Sequence, residues 1–311
     1  MPDCTHLDRT DSTDVPPGWQ ASLALGFALD GGVTRLVRRE HRGPLRVQKA
    51  LYPEGPRACH VIVVHPPGGV VGGDRLQLEL EQGAGTQVLA TTPGAAKWYR
   101  SNGRVSSQQV RLQVGAGAAL EWLPQETIFY EGADVRLEHE VELGEGACYL
   151  GMEILCFGRR AAGERFARGR VRQRTRIRAA GRTIWWEQGA LHGGEPDAGG
   201  ADGTAHGPPH GPLSGALHSP LHSPLHSPLG LAGHPVCATL LAVGKPAPAA
   251  LLAELRALDP GLVFSQVRSV LVARWLGDEA ETARACLLRA WTLLRPHLLG
   301  VPAVVPRIWH T

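Results

Sequence analysis

The chain has 311 residues, six cysteines and a formal net charge of +3, so it is long enough to bury a sizeable core in one or two domains. The charge is too small to indicate a nucleic-acid partner, and no apolar run approaches the roughly 18 residues needed to cross a bilayer. The cysteines show no zinc-site spacing, and the polar amino terminus lacks a signal-peptide pattern. We therefore expect a soluble cytoplasmic protein with reduced thiols that binds neither nucleic acid nor a membrane.

The first large part of the chain, residues 18–191, follows a polar extension (1–17) that we expect to be disordered. Apolar residues take every second position in the segments 23–29, 76–80 and 110–114, and Val135, Leu137 and His139 repeat the spacing. This period is typical of half-buried strands, and glycine-containing turns recur about every ten residues. The pattern predicts a mainly β fold, in which stacked antiparallel or mixed sheets form an elongated β scaffold rather than βαβ units.

Residues 192–234 differ in composition, because glycine, proline, histidine and serine dominate. The tetrapeptide His-Ser-Pro-Leu begins at His218, His222 and His226, and a proline at every fourth position excludes a helix. This composition predicts a flexible, partly polyproline insertion. The three histidines are weak candidates for a loose metal site; the alternative is a solvated loop without that role.

The last part of the chain, residues 235–311, is expected to be an α+β portion packed on the same scaffold. Its pattern predicts two strands, at 237–243 and 267–275, and two helices, at 249–258 and 278–294. Asp278 is placed to cap the second helix, and Pro296 to end it.

The loop 65–74 has the glycine spacing of a phosphate-binding loop, in Gly68 and Gly73, but not its chemistry. The position after Gly73 requires a lysine in such a loop, and here it is Asp74, whose carboxylate would repel phosphate. We interpret the glycines as a tight turn with a close backbone approach. Asp74 remains a candidate cation ligand, which His65 could meet across the turn.

A second turn is followed by Lys97, Trp98, Tyr99 and Arg100. Aromatic and cationic side chains together are common at contact surfaces, so these four are candidate partner-binding residues. The alternative places Trp98 in the core and leaves the two cations in solvent.

Two glutamates lie in apolar surroundings. Glu153 is inside a run of apolar residues, and Glu187 follows two tryptophans. A carboxylate in such a place is costly unless it is paired or hydrated. Arg159 is a possible partner for Glu153, so a structural salt bridge and a functional carboxylate are both open interpretations.

Residues 159–182 contain ten arginines and a single acid, Glu164. From 168 to 178 an arginine takes every second position, so on a strand these arginines share one face. Like charges at that density repel unless acidic groups meet them, and we prefer an acidic partner surface to nucleic acid. The alternative is a solvated edge strand that is guarded against aggregation. The candidate contacts for the partner are Arg159, Arg172, Arg174 and Arg176.

No serine-hydrolase or zinc-protease motif occurs in the sequence, but nine segments resemble one family closely: the urease accessory protein UreD, called UreH in some bacteria. They follow the family order from about residue 18 to the carboxyl end. The segments are 43–48, 52–54, 59–60, 65–74, 93–101, 120–125, 155–159, 294–297 and 306–309. The extension before Pro17 and the stretch 192–234 depart from the family pattern.

The resemblance implies a β scaffold with two C-terminal helices and no enzymatic activity. It also implies partners, namely UreF, the GTPase UreG and the urease apoprotein subunits, in a complex that brings nickel to the urease active site. No tightly bound cofactor is expected, only transient Ni²⁺.

Similar proteins carry acidic residues inside a hydrated tunnel. The matching positions are Asp74, Glu153 and Glu187, with Arg159 as a nearby modulating charge. Ni²⁺ accepts carboxylate, imidazole and water ligands, and a conduit requires sites weak enough to release the ion. Two alternatives remain: a pure adaptor that never contacts nickel, and a β-scaffold metalloenzyme that uses His65 and Asp74.

Overall fold

Seventeen strands and two α-helices lie in residues 18–193 and 224–310, the part of the chain that the computed structural model describes. The helices are α1 Ala249–Arg256 and α2 Ala280–Leu299. The strands are β1 Gln20–Asp30, β2 Val33–Arg42, β3 Arg46–Val47, β4 Ala58–Val64, β5 Arg75–Gln82, β6 Gln87–Thr91, β7 Ala96–Trp98, β8 Ser106–Val114, β9 Ala119–Leu123, β10 Thr127–Phe129, β11 Asp134–Leu143, β12 Cys148–Phe157, β13 Arg170–Ala179, β14 Arg182–His192, β15 Val236–Val243, β16 Leu262–Val267 and β17 Val270–Gly277.

The strands form two stacked sheets. The first sheet has seven strands in the order β14-β13-β11-β8-β5-β1-β2. The second has ten, with a main path of β16-β17-β15-β12-β9-β6-β4-β3, and β10 pairs with both β12 and β7. From β4 to β13 the chain moves back and forth between the two sheets, as in a solenoid, so each coil contacts mainly its neighbours.

The predicted fold class is confirmed: the protein is mainly β, its sheets are mixed and elongated, and two helices lie near the carboxyl end. The central pairs are nevertheless parallel, as in β1–β5, β5–β8 and β6–β9. Antiparallel pairs, β1–β2 and β13–β14, close the two ends of the first sheet. An antiparallel arrangement is wrong for the centre, because a turn there leads to the opposite sheet instead of back along the same one.

The alternating apolar residues fill a core between the two sheets. Leu25 of β1, Leu78 of β5 and Leu112 of β8 are buried there, as their period-two pattern predicts. A second core lies between the second sheet and the helices, where Leu287 and Trp291 of α2 are buried. Each fully buried side chain of this size contributes roughly 1.5–3 kcal/mol to stability, so the two cores hold the layers together.

The C-terminal elements differ in detail from their prediction. The strand predicted at 237–243 is β15, and the first predicted helix is α1. The strand predicted at 267–275 is β17, which begins only at Val270 because the chain turns at Arg268, whose φ is +54°. Strand β16, which precedes this turn, was not predicted. Asp278 does not cap α2; its carboxylate pairs with Arg160 at 3.0 Å and with His234 at 3.1 Å.

The prediction that Pro296 ends the second helix is wrong. Helix α2 continues through Pro296 to Leu299, and Gly300 closes it in the left-handed conformation with φ of +71°. Proline removes one helical hydrogen bond, and the tertiary contacts of the adjacent Arg295 hold the helix in place at this point.

A buried ionic cluster formed by Arg295 joins α2 to the second sheet. Arg295 is 1% exposed, and its guanidinium lies 3.0 Å from Glu121 of β9 and 2.6–2.8 Å from Glu54. His60 lies 2.6 Å from Glu54, and the Trp291 indole donates to Glu121 at 2.6 Å. Burial raises the pKa of Glu121 against the attraction of Arg295. At Glu54 the effect of burial is outweighed by hydrogen bonds from His60 and Arg295, which lower the pKa.

Residues 1–17, 194–223 and 311 lie outside the described part, so the N-terminal extension and most of the insertion stay predictions. Residues 224–234 form turns and a short connection, in which Leu225 is buried. Strand β15 pairs with β12, so the C-terminal portion continues the second sheet. Among the described helices, none is both long enough and apolar enough to cross a membrane.

Candidate functional site

A polar cavity of about 60 Å³ lies between the two sheets near one end of the molecule. Several water molecules fit into a space of this size. Acids, amides and hydroxyls from both sheets line it, although apolar atoms make up the larger part of its surface. The polar lining residues are Gln125, Thr127, His139, Tyr149, Glu153, Gln173, Thr175, Glu187 and Thr239.

Glu153 faces this cavity because of its position in β12. The odd-numbered residues Tyr149, Leu155 and Phe157 of that strand lie in the core between the sheets, so Glu153 points into the same layer. Gln173 of β13 donates a side-chain hydrogen bond to its carboxylate. Burial raises the pKa of Glu153 to about 7, with Glu187 adding to the rise and Gln173 and Arg274 opposing it.

Glu187 reaches the cavity from the opposite sheet, where its neighbours Trp185 and Leu191 on β14 also face the interior. Its carboxylate is bound by Arg274 of β17, whose Nη2 lies 2.6 Å from both Oε1 and Oε2. The other terminal nitrogen of Arg274 lies 2.5 Å from the Thr239 hydroxyl. This ion pair therefore connects the first sheet to the second on the solvent-facing side of the cavity.

The deeper wall of the cavity carries a neutral hydrogen-bonded pair. His139 Nε2 and the Tyr149 hydroxyl are 2.8 Å apart. Burial lowers the pKa of His139 to about 4 and raises that of Tyr149, so both side chains are uncharged near neutral pH. They contribute polarity to the wall without adding charge.

Asp74 lies elsewhere, in the turn that precedes β5. One carboxylate oxygen accepts from the backbone N–H of Trp19 at 2.8 Å, and the other accepts from that of Val71 at 3.0 Å. The close approach predicted for the loop is also present, since a Cβ on Gly69 would lie 2.2 Å from the ring of Tyr99. Asp74 lines neither this cavity nor its larger neighbour, and its hydrogen bonds hold the turn together.

Replacing Asp74 with alanine should therefore cost about 1–3 kcal/mol of stability, because the turn loses two backbone hydrogen bonds to a charged acceptor. Asp74→Asn should cost less, since the amide oxygen still accepts one bond. Thermal unfolding of both variants measures the loss of stability. Equilibrium Ni²⁺ binding is measured on the same proteins, and we expect it to be unchanged in Asp74→Asn. A stable Asp74→Asn protein with weakened nickel binding would instead favour the ligand role.

A larger and mainly apolar cavity of about 340 Å³ adjoins the polar one. Trp122 lines both. His65 and Lys97 are among the few polar groups around the larger space, and burial lowers the pKa of His65 while the charge of Asp74 opposes this. An apolar space is a poor medium for a hydrated dication, so the polar cavity is the better ion site.

The segment 97–100 is divided between core and surface. Trp98 is 1% exposed and packs in the core between the sheets, so the structure favours the core alternative for this residue. Lys97 and Arg100 are exposed and Tyr99 is half-buried. These three stay candidates for partner contact.

The arginines of β13 meet carboxylates within the same chain. Strand β11 lies beside β13 in parallel register, and its acids face the arginines. Arg172 pairs with Asp134 at 2.8 Å and Arg176 pairs with Glu140 at 2.9 Å, while Arg174 lies 3.4 Å from Glu138 and from Glu140. The repulsion that suggested an external acidic surface is therefore already offset, and contact of these arginines with a partner stays a prediction.

Arg159 does not pair with Glu153. Its guanidinium binds Glu164 and lies 4.4 Å from the centre of the Tyr130 ring. His226 is exposed, and His218 and His222 lie outside the described residues. Within residues 18–193 and 224–310, no three His, Cys, Asp or Glu side chains form a group that would hold one metal ion.

The sequence interpretation missed three residues that shape the site: Gln173, Thr239 and Arg274. Gln173 lies between Arg172 and Arg174 on the opposite face of β13, an inward position that the period of the strand identifies. Thr239 and Arg274 are distant in sequence from both glutamates, and only the pairing of β15 with β12 and β17 brings them there.

Nearly the whole chain is similar to one group of bacterial proteins. The family model described as UreD urease accessory protein matches residues 20–310. A protein named urease accessory protein UreD from Janthinobacterium sp. (strain Marseille) is 52% identical over 298 residues, which cover 94% of this chain and 92% of that protein. Proteins of the same name from Azoarcus sp. (strain BH72) and Nitrosospira multiformis are 48% and 44% identical, covering 95% and 94% of this chain and 95% and 98% of their own lengths.

Proposed function

Because the chain belongs to the UreD family of urease accessory proteins, we propose that it serves urease maturation as a scaffold that offers nickel a hydrated, carboxylate-lined path. It acts in a complex with UreF and the GTPase UreG on the urease apoprotein. UreG supplies the hydrolysis of GTP, and this chain carries out no catalytic step.

The polar cavity is the observation that supports the nickel path. Glu153 and Glu187 line the same space from opposite sheets, and both are oxygen ligands that Ni²⁺ accepts along with water. Two carboxylates and waters make a weak site, and a weak site releases its ion. Asp74 is not part of this path, because both its oxygens serve the turn before β5.

Nickel loading of urease tests the proposal. Glu153→Gln and Glu187→Gln keep the side-chain shape but remove the charge, so each should lower the nickel content of urease by roughly tenfold at limiting nickel, the scale seen when metal-site residues are altered. Nickel per urease active site is measured by atomic absorption. Co-purification with UreF and UreG checks separately that the complex still assembles.

Glu145→Gln is the matched control, since Glu145 is an exposed acid in the turn before β12. It should leave nickel loading unchanged. Full loading in both cavity variants, with the complex intact, would reject the nickel path and leave the second candidate, an adaptor that joins the partners without contacting nickel. The exposed Trp186, 47% accessible on edge strand β14, is the observation that favours an adaptor surface.

A further inference from the structure

Arg274 places a permanent cation on the carboxylate that the proposed path would offer to nickel. Its guanidinium is bound to Glu187 and Thr239, and both of these residues line the polar cavity. Thr239 is also the register partner of Glu153, across the β12–β15 pair. The side chain of Arg274 therefore lies at the part-exposed end of the cavity, held on Glu187 and on the residue that stands opposite Glu153.

We infer that Arg274 is a gate for divalent cations, because its guanidinium competes with them for Glu187 and an ion gains both acids only after Arg274 has moved away. The inference rests on the proposed nickel path, since it names the residue that controls entry to the same cavity. Arg274 acts through Glu187 and is a positioning residue, not a ligand.

The chemistry of the guanidinium determines how such a gate opens. Arginine stays protonated throughout the physiological pH range, so a change in pH does not discharge it. A competing cation or a partner's acidic group has to displace it. A divalent ion interacts with a carboxylate more strongly than a monovalent one at the same distance, so the gate favours dications over the Na⁺ and K⁺ of the medium.

The solvent exposure of the Arg274–Glu187 ion pair allows Arg274 to leave Glu187 at low cost. The side chains of Arg274 and Glu187 are 44% and 37% exposed, and ion pairs in such positions contribute little to stability. Arg295 gives the opposite case: its side chain is 1% exposed, and moving it would leave two buried carboxylates without a partner. Of these two arginines, only Arg274 can leave its partner at low cost.

Equilibrium binding of NiSO₄ to the purified full chain, measured by titration calorimetry, tests the gate. Arg274→Gln should bind Ni²⁺ roughly three- to fivefold more tightly than the wild type, the factor expected when a part-exposed ion pair no longer competes. Arg274→Lys should fall between the two, because a lysine keeps the charge but cannot bridge Glu187 and Thr239 with one planar group.

Two controls separate the gate from a general effect of charge or folding. Arg111→Gln removes the same charge from an exposed pair with Glu79 on the outer face of the first sheet, and it should bind as the wild type does. Adding Glu187→Gln to Arg274→Gln should abolish the gain, which a merely structural role of Arg274 would not predict.

The outcomes distinguish this inference from the function on which it rests. Unchanged affinity in Arg274→Gln, with weaker binding in Glu153→Gln, overturns the gate and keeps the nickel path. An equal gain in Arg111→Gln also overturns the gate. Absence of measurable Ni²⁺ binding in the wild type and in all of these variants overturns both proposals.

Discussion

Replacing Arg295 with methionine should destabilise the protein by about 3–5 kcal/mol, the scale measured when one partner of a buried ion pair is removed. Methionine approximates the length of the stem but leaves Glu54 and Glu121 buried without their shared cation. Urea unfolding followed by circular dichroism measures the loss. Helix α2 should lose its attachment to the second sheet first, because Arg295 is its only residue in this cluster besides Trp291.

The matched control is Arg289→Met, on the same helix. Arg289 is 52% exposed and lies 3.6 Å from Asp259, so its loss should cost less than about 1 kcal/mol. Adding Glu54→Gln and Glu121→Gln to Arg295→Met should recover much of the stability, because the unpaired charges are gone. If the neutralised protein were as unstable as Arg295→Met alone, the cost would have to come from packing instead of charge.

Glu153→Gln should make the protein more stable at alkaline pH, by up to about 3 kcal/mol at pH 8. The pKa of Glu153 is raised from 4.5 to about 7 by burial. Below about pH 4.5 the carboxyl is protonated in both the folded and the unfolded chain, so its ionisation does not change the free energy of unfolding. Between pH 4.5 and 7 the folded state holds a proton that the unfolded state has released, so stability falls as the pH rises, and above 7 the full penalty remains.

Glutamine removes this penalty and can still accept the hydrogen bond from Gln173. Urea unfolding at pH 4.5 and at pH 8 should therefore show little difference from wild type at the lower value and a stabilised variant at the higher one. Glu145→Gln, on the exposed turn, should track the wild type at both. A Glu153→Gln protein that is less stable at pH 8 would show that the charge is fully compensated in the folded state.

A carboxylate that costs stability is expected to be kept for function. Stability and nickel loading should thus change in opposite directions in Glu153→Gln. Altering a residue with a purely structural role, such as Asp74, should lower the stability of the protein and leave its nickel binding unchanged. Variants at Glu153 and Asp74 therefore distinguish a role in the nickel path from a purely structural role.

The sequence predicted those parts of the structure that depend on one strand or helix at a time. Alternation identified the inward residues of β1, β5 and β8, because period two reports which face of a strand is buried. It does not report which strand lies alongside, so the parallel pairing of the centre was missed. For the same reason the arginines of β13 were correctly placed on one face, while their carboxylate partners on β11 were not foreseen.

In the candidate site, too, the sequence predicted the residues that a local pattern marks and missed those that the packing of the sheets brings together. Glu153 and Glu187 stood out because a carboxylate among apolar residues is costly. Their partners Gln173 and Arg274 depend on how two sheets stack, which no local pattern encodes. The extent of α2 also depends on tertiary contacts, since the cluster around Arg295 lies directly before the proline that was expected to end the helix.

Strand β14 also affects how the molecule is protected from self-association. It covers the edge of β13, which would otherwise present a row of unpaired backbone groups to other chains. The same strand carries Glu187. Any rearrangement that widens the cavity by lifting β14 would break the β13–β14 ladder and expose the edge of β13 in addition to that of β14, which is already the outer strand of the sheet. Movement of a single side chain carries no such hazard.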